Sequence, residues 1–449
     1  MDKQQRVRLQ WEGKGSENSG AYSFQREEII FPGPCYDGLK PMLPESLPGF
    51  DPDSCGRLIQ GDALPVCHYL LDQGYGERFR MIYLDPPYFS SQRYSSHYPG
   101  RQGVVKLPAF DDRWQHGLDT YLEMMYQRLL LMRKLLMANG SILVHLDWHC
   151  SHYVRVLLDE IFGMDGFVNE LVWCYAGGSN TQRHFQRKHD LIFWYAKAPD
   201  YYFQPLYRPY SAGTLQRGLT AVKGNSYRLK AEGALMQDWW TDIPKILSPT
   251  AYENLKYPTQ KPRTLLERII SATSAPGDLI GDFFAGSSTT AEAADHLGRT
   301  WIVADVGALA LQTSIYRLSR HGSAPFFLER AQDIIAEEIP GLGIDGDWCR
   351  DGRSLRIHLM LCFGLGEISP ADIDFWEIDY NFDGMIFRSR LQILRSGGRF
   401  KGNLPLQADL LLLLDTVALD YQIAVKVRDF SGRSHSAVLT LNDRRGKQK

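Results

Sequence analysis

The strand-like run Arg80-Met81-Ile82-Tyr83-Leu84 stops on Asp85-Pro86-Pro87-Tyr88. Two consecutive prolines remove two backbone donors, so a strand cannot continue through them. The ending leaves a carboxylate and an aromatic ring at a strand's carboxyl end, where open α/β sheets keep their chemistry. Polar and aromatic residues follow at once, from Ser90 to Tyr98.

The flanking chain predicts such a sheet. Over residues 54–166, short apolar strands alternate with helix patterns: RLIQGDAL ending at Gly61-Asp62, then RMIYLD, then SILVHLD at 141–147. Between the last two, residues 118–140 carry apolar side chains at helical spacing, with Gly140 as a stop. From Tyr257 the rhythm returns. TQKPRTLLERIISATS reads as a helix with Pro262 near its first turn, where a missing N–H costs nothing. GDLIGDFF reads as a strand, STTAEAADHLG as a helix ending at Gly298, and TWIVADV as another strand. This alternation implies a doubly wound, mostly parallel sheet with helices on both faces.

Two stretches interrupt it. Residues 167–256 are rich in aromatics, glycine and basic residues, with strands only at NELVWCY and DLIFWYAK. Within 175–235 there are nine Arg or Lys against Asp190, Asp200 and Glu232, a local excess of +6 in a chain of net charge −2. After about residue 325 the pattern becomes β-rich, and DYQIAVKVRD, FSG and RSHSAVLTLN read as a hairpin. The expected segments are an N-terminal extension (1–53), a catalytic half (54–166), an inserted recognition region (167–256), a cofactor-binding half (257–325) and a small, mostly β C-terminal module (326–449), with a frayed tail.

Composition adds bounds. The polar start Met1-Asp2-Lys3-Gln4-Gln5 is no secretory signal, and no apolar run approaches the roughly 18 residues of a membrane span. Seven scattered cysteines with no CxxC pair suggest a reduced, cytoplasmic protein without a disulfide framework.

The turn after GDLIGDFF carries small residues, Ala285-Gly286-Ser287-Ser288, before a helix, so a ligand can lie against backbone and a helix N-terminus. Alone, such a turn also serves plain βα packing. About 20 residues on, Asp305 ends the next strand, as an acid that holds ribose hydroxyls would. GxGxxG is not met, which argues against a pyrophosphate cradle. A nucleoside without phosphates, such as S-adenosylmethionine, fits better. At the other motif, the exocyclic amine of adenine is a poor nucleophile because its lone pair is delocalised into the ring. Asp85 accepting one N–H and the Pro86 carbonyl the other favours a pyramidal, reactive nitrogen; Pro87 helps fix the carbonyl's direction, and Tyr88 can stack on the base. The catalysis is then positional and electrostatic, and a base inside a duplex must first be flipped out.

With these motifs in order, the chain resembles the amino-group DNA methyltransferases, specifically the permuted β-group, in which the catalytic motif precedes the cofactor motif and target recognition lies between. Asp85-Pro86-Pro87-Tyr88 matches the D/N-P-P-Y/F motif, YPTQKPRTLLERII (257–270) the helix flanking the cofactor's methionine end, and DFFAGSSTT (282–290) the D-P-F-x-G-x-G-T-T motif. GDAL matches a motif expected near the adenine ring, and a shorter echo, LQWEGKG, sits at 9–15. Other segments are similar to type III Mod subunits. The resemblance spans roughly 54–320 and implies a Rossmann-like, circularly permuted methyltransferase sheet, S-adenosylmethionine as cofactor and N6 of adenine in double-stranded DNA as acceptor. It implies no metal and no membrane partner. A restriction-modification or phage-defence setting follows, with a homodimer or a restriction partner subunit as further associations. Cofactor contacts fall to Asp62, Thr259, Gln260, Lys261, Asp282, Phe284, Ala285, Gly286, Thr289 and Asp305. DNA contacts fall to Arg183, Arg187 and Lys188, because Lys and Arg neutralise phosphates; aromatic side chains can fill the gap left by a flipped base.

The chain departs from the pattern at Phe283, where proline is usual, and at Ser288, where a second glycine is usual; a side chain at 288 could crowd the cofactor. HLDWHCSH (145–152) has metal-ligand residue types, but strand alternation prevents their convergence, and Asp147 is expected at the cleft border. The rival readings are an N4-cytosine enzyme (whose motif usually carries Ser or Thr at position 85), a DNA-binding scaffold that has lost catalysis, and an RNA or protein methyltransferase.

Overall fold

A computed structural model describes residues 7–15, 20–33, 42–44, 55–100, 103–177, 181–222, 225–248, 252–351, 354–364, 368–396, 398–400, 402–413, 420–442 and 447–448. Cys35, Lys223 and most of the expected tail lie outside these residues. The large sheet contains β1 (Phe24–Ile30), β2 (Gly56–Gln60), β3 (Phe79–Leu84), β4 (Leu136–Leu146), β5 (Phe167–Cys174), β6 (His189–Ala196), β7 (Trp239–Trp240), β8 (Leu279–Asp282), β9 (Thr300–Asp305), β10 (Phe326–Ala331) and β11 (Phe387–Ser389). Their spatial order is β7-β5-β6-β4-β3-β8-β9-β2-β10-β1-β11. The run β4-β3-β8-β9-β2-β10 is parallel throughout. The helices are α1 (Ala63–Asp72), α2 (Leu118–Leu135), α3 (Ser151–Phe162), α4 (Ala212–Arg217), α5 (Arg263–Thr273), α6 (Thr289–His296) and α7 (Ala308–His321). No helix among the described residues is long and apolar enough to cross a membrane.

The central strands are mostly apolar and largely buried, as strands covered on both faces are. One face buries α1, α2 and α3 through Val66, Leu70, Tyr121, Met125, Val154 and Leu158. The opposite face buries α5, α6 and α7 through Leu265, Ile269, Ala291, Ala293, Leu311 and Ile315. From β3 the chain crosses through α2 to β4 on one side; from β8 it crosses through α6 to β9 on the other. The crevice above the neighbouring ends of β3 and β8 is therefore the point where the winding reverses, the standard ligand position in such sheets.

The C-terminal residues form a β-sandwich. The strands Leu342–Asp351, Ser354–Phe363 and Gln407–Leu413 make most of one sheet; Ile373–Asp379, Asp420–Asp429 and Ser434–Asn442 make most of the other. Trp376, Ile378, Ile423 and Val425 meet Ile357, Leu359 and Leu410 between them. The predicted hairpin is present, pairing Asp420 with Asn442 through to Arg428 with Ser434.

The expected boundaries at 53, 166 and 325 need correction. The large sheet takes β1 from the supposed extension, β5 and β6 from the supposed insert, and β10 and β11 from the supposed C-terminal module. Backbone hydrogen bonding overrides the compositional shifts on which those boundaries rested. Within the tail, Lys447–Gln448 pairs with Gly346 and Asp347 rather than fraying. The N-terminal motif is also docked: Trp11 donates to Glu123 at 2.7 Å, and Lys14 meets Glu160 at 2.7 Å.

Glu28 on β1 ties the large sheet to the sandwich. Fully buried, it accepts from Lys426 at 2.8 Å and from Arg428, which also reaches Glu377 at 2.5 Å. Burial alone would push the Glu28 carboxyl up, but the charges of Arg428 and Lys426 outweigh it and hold it down at about 2. The depressed value means that its stabilisation is present at neutral pH and is lost as pH falls towards 2. Glu28→Ala leaves two cations without their buried partner and is expected to cost about 3–5 kcal/mol, read from denaturant unfolding. That deficit should shrink as the pH is lowered.

Candidate active site

The cleft above β3 and β8 contains about 850 Å³ of empty space open to solvent. It gathers Asp85, Pro86, Pro87 and Tyr88 from one motif and Thr259, Gln260 and Lys261 from the second. Asp282, Phe284, Ala285, Gly286, Thr289 and Asp305 come from the third motif and the strand after it. Register explains the meeting: Asp282 pairs with Tyr83 on one side and Val303 on the other, and Leu84 pairs with Val144. The three acids at or just beyond these strand ends therefore share one edge.

Asp85 is held on both oxygens. Tyr88 donates its hydroxyl to Oδ1, and Lys261 donates its ammonium to Oδ2. The Lys261 Nζ also lies 5.3 Å from the Tyr88 ring centroid. Burial, with Asp85 beside it, pushes the Tyr88 phenol well up, so at neutral pH its hydroxyl is a donor. Behind this trio, the Tyr88 ring stacks on His145, with centroids 6.2 Å apart. Buried His145 bonds Tyr83 at 2.7 Å and Asp190 at 3.2 Å, and Tyr175 donates to Asp190 at 2.8 Å.

The residues after the prolines adopt backbone that side chains normally avoid: Phe89 has φ 62° and Ser91 φ 60°. One buried carboxylate, Asp112, offsets the strain. It accepts from the amides of Tyr88 (3.2 Å), Phe89 (3.0 Å) and Ser90 (2.7 Å), from the Ser90 hydroxyl (2.6 Å) and from Trp114 (2.9 Å). Sequence reasoning missed Asp112, because a cap on successive amides leaves no spacing signal. It also missed Tyr94 and Phe110, which line the cleft and stack with centroids 4.6 Å apart. These rings belong to the hairpin of Arg93–Gly100 and Gly103–Asp111, and the aromatic content just after the prolines was the available clue.

On the β8 side, Asp305 accepts from Gly286 at 2.8 Å and Gly307 at 2.8 Å. Gly286 has φ +51°, and a Cβ there would lie 3.0 Å from Tyr257, so glycine lets this turn pass beneath the tyrosine. Asp282 is buried and accepts from Phe284 at 3.0 Å and Thr290 at 2.5 Å. Burial, with Asp85 and Asp305 nearby, raises its carboxyl to about 7. Burial also raises Asp305.

Several expectations need adjustment. Asp62 does not line the cleft; its Oδ1 caps α1 through Leu64 at 2.9 Å and meets Arg128 at 2.6 Å. Gln260 lines the cleft but braces its own loop, bonding Leu255 at 3.0 Å and Glu253 at 2.7 Å. Ser288 takes a left-handed φ of 54° and turns its hydroxyl onto Ser314 at 2.7 Å, so its side chain leaves the cleft free. Phe283 packs against Phe79 in the core. Asp147 accepts from His149 at 2.7 Å and does not line the cleft, while Cys150 bonds Tyr121 at 3.3 Å. Arg183 and Arg187 are exposed and Lys188 is half-buried, all on the β5–β6 connection.

A family profile described as DNA methylase (N6_N4_Mtase) matches residues 79–314. Among curated relatives, the type II methyltransferase M.EcaI of Enterobacter cloacae is 27% identical over 310 residues, covering 56% of this chain and 66% of its own. The DNA adenine methyltransferase YhdJ of Escherichia coli (strain K12) is 26% identical over 265 residues, covering 58% and 82%. Among solved structures, the M1.HpyAVI–SAM complex is 20% identical, covers 58% of this chain and 98% of its own, and has a TM-score of 0.39. The profile spans more than half of the 449 residues, and the chain belongs to this DNA methylase family.

Proposed function

We propose that the protein is a site-specific DNA methyltransferase that moves a methyl group from S-adenosylmethionine to the N6 amine of an adenine turned out of duplex DNA. The observation that carries this reading is the convergence of Asp85, Tyr88 and Lys261 with the Gly286–Asp305 cradle in one cleft. The residues fit the cofactor's chemistry. Asp282, buried, and Asp305, partly buried, are acceptors with lone pairs to spare, suited to a ligand that is cationic at one end and carries ribose hydroxyls at the other. Phe284 and the Tyr94–Phe110 pair supply aromatic walls. When bound, the cofactor supplies a methyl group already activated on a sulfonium.

Asp85 accepts a hydrogen bond from the target amine. A carboxylate has about four lone-pair sites, so it can do this while Tyr88 or Lys261 keeps one of its present bonds. The Pro86 carbonyl accepts the second N–H. Both contacts strengthen as positive charge develops on nitrogen, which is where catalysis gains. Asp85 is also the nearest base for the proton that nitrogen must then lose. The reading extends to a restriction-modification or phage-defence setting, in which a separate nuclease or a second subunit would act on unmarked DNA.

Long-read sequencing of DNA from cells expressing the protein tests the reading directly: N6-methyladenine at a defined sequence is expected, and N4-methylcytosine alone would refute the adenine assignment. Asp85→Ala should lower methyl transfer by roughly 10²–10³-fold, the usual cost of removing one preorganised polar contact, with cofactor binding retained in calorimetry. A pH series tests Asp282. A cationic ligand favours its ionised form, so binding should release a proton and S-adenosylmethionine affinity should rise as pH climbs through about 7. Asp282→Asn should flatten that rise.

A further inference from the structure

We propose that Phe185 is the wedge that enters the DNA base stack and occupies the space vacated by the flipped base. The inference rests on the methyltransferase reading and deepens it. Phe185 is 98% exposed, the most exposed large apolar side chain among the described residues. Single exposed apolar residues are common, so the argument lies in its placement.

Phe185 stands on the connection between β5 and β6. Both strands run antiparallel to their neighbours in the order β5-β6-β4, and Leu191 pairs with Leu146 at the carboxyl end of β4. The β5–β6 connection therefore rises from the same edge that carries Asp85. Its root is anchored to the site. The Tyr175 amide donates to the Lys188 carbonyl at 3.0 Å, and the Tyr175 hydroxyl reaches Asp190, which bonds the His145 beneath Tyr88. Arg187 lies over the exposed ring of Trp148, 3.7 Å from its centroid, just past the end of β4.

Around Phe185 the chain reads Arg183-His184-Phe185-Gln186-Arg187-Lys188, with three Arg or Lys and with acids absent from 181–189. An apolar ring held out among cations suits a partner with polyanionic edges and an apolar interior, which is the description of a nucleic acid duplex. A protein partner would bury the ring but would not call for this charge pattern. Apolar wedges between base steps compensate part of the unstacking cost, and unpairing is the cost that a base-flipping enzyme must offset.

The test uses the full chain and synthetic duplexes carrying the sequence identified by long-read sequencing. Single-turnover methylation is measured on a fully paired duplex and on one whose target adenine faces an abasic site, where flipping is cheaper. Phe185→Ala should slow methylation of the paired duplex by roughly 10- to 100-fold, the range that base–aromatic stacking supports. The abasic duplex should recover most of that loss, and Phe185→Trp should retain the rate on both. Thermal melting of the variants checks that the exposed position leaves folding intact. Equal rates for wild type and Phe185→Ala on the paired duplex would overturn the wedge while leaving the enzyme reading in place. So would an equal slowing on both duplexes, which would mean a general role for the loop, or a change of oligomeric state without loss of activity. A wild-type protein that methylates no DNA would overturn both.

Discussion

The ion pair between Lys261 and Asp85 joins residues 176 positions apart, and the rest of the cleft is arranged around it. Asp85 belongs to the first half of the sheet and Lys261 to the loop that opens the second half. Both side chains are largely sheltered, at 17% and 8% exposure. A partly buried pair gains more from its Coulomb attraction than a surface pair, but removal of one member leaves the other poorly solvated. The pair is therefore a stake in the meeting of the two halves as well as a way of aiming a carboxylate. Tyr88 completes the arrangement by taking the other oxygen, so the proposed catalytic acceptor is oriented before any base arrives.

That order is held against local backbone preference. Among the described residues, every non-glycine residue at positive φ except Glu77 flanks the cleft or its turns: Phe89, Ser91, Lys256, Thr259 and Ser288. Such conformations cost of order 1–3 kcal/mol each and persist where surrounding contacts dictate them. The dictating contacts are visible. Asp112 holds the first two residues, and the Lys256 carbonyl accepts from Ser96 at 2.8 Å. Ser288 is fixed by its hydroxyl bond to Ser314. The last case explains how serine can stand where a small, left-handed-tolerant residue is expected. The hydroxyl finds a partner on α7, so the strain falls on the backbone and the ligand side stays clear.

The sheet and the three motif loops were legible in the sequence because their causes are local. Pro86 and Pro87 stop a strand, the apolar period of residues 118–135 makes a helix, and the small residues at 285–287 permit a tight turn. What was not legible depends on register and on long-range partners. Asp62 looked like a ligand contact, yet its carboxylate is committed to the N-terminus of α1 and to Arg128, which lies 66 residues away. Asp112 gave no signal in the sequence, and only the folded hairpin brings it under the amides of residues 88–90. The domain boundaries failed for a related reason. A change in composition marks where the surface changes character, whereas β1, β5, β6, β10 and β11 are placed by backbone pairing that composition does not record.

The C-terminal sandwich bears on the cleft through the same hairpin. Tyr98 stacks on Phe430 at 5.0 Å and tilts against Phe400 at 5.1 Å, while Tyr94 and Phe110, at the other end of the hairpin, line the cleft. Lys256, whose carbonyl accepts from Ser96 in that hairpin, lies 4.6 Å from the Phe400 ring centroid. Arg399 is buried between Asp374 of the sandwich, at 3.0 Å, and Thr313 of α7, at 3.1 Å, and α7 begins just after Asp305. Gly432, at φ +94°, passes so close to Ala308 that a Cβ would sit 2.9 Å from its carbonyl oxygen. These contacts reach the aromatic wall, the loop before Lys261 and the helix after Asp305. A module with no chemical motif of its own thus braces three of the elements that shape the cleft, and its aromatic and buried charged residues are explained by that bracing.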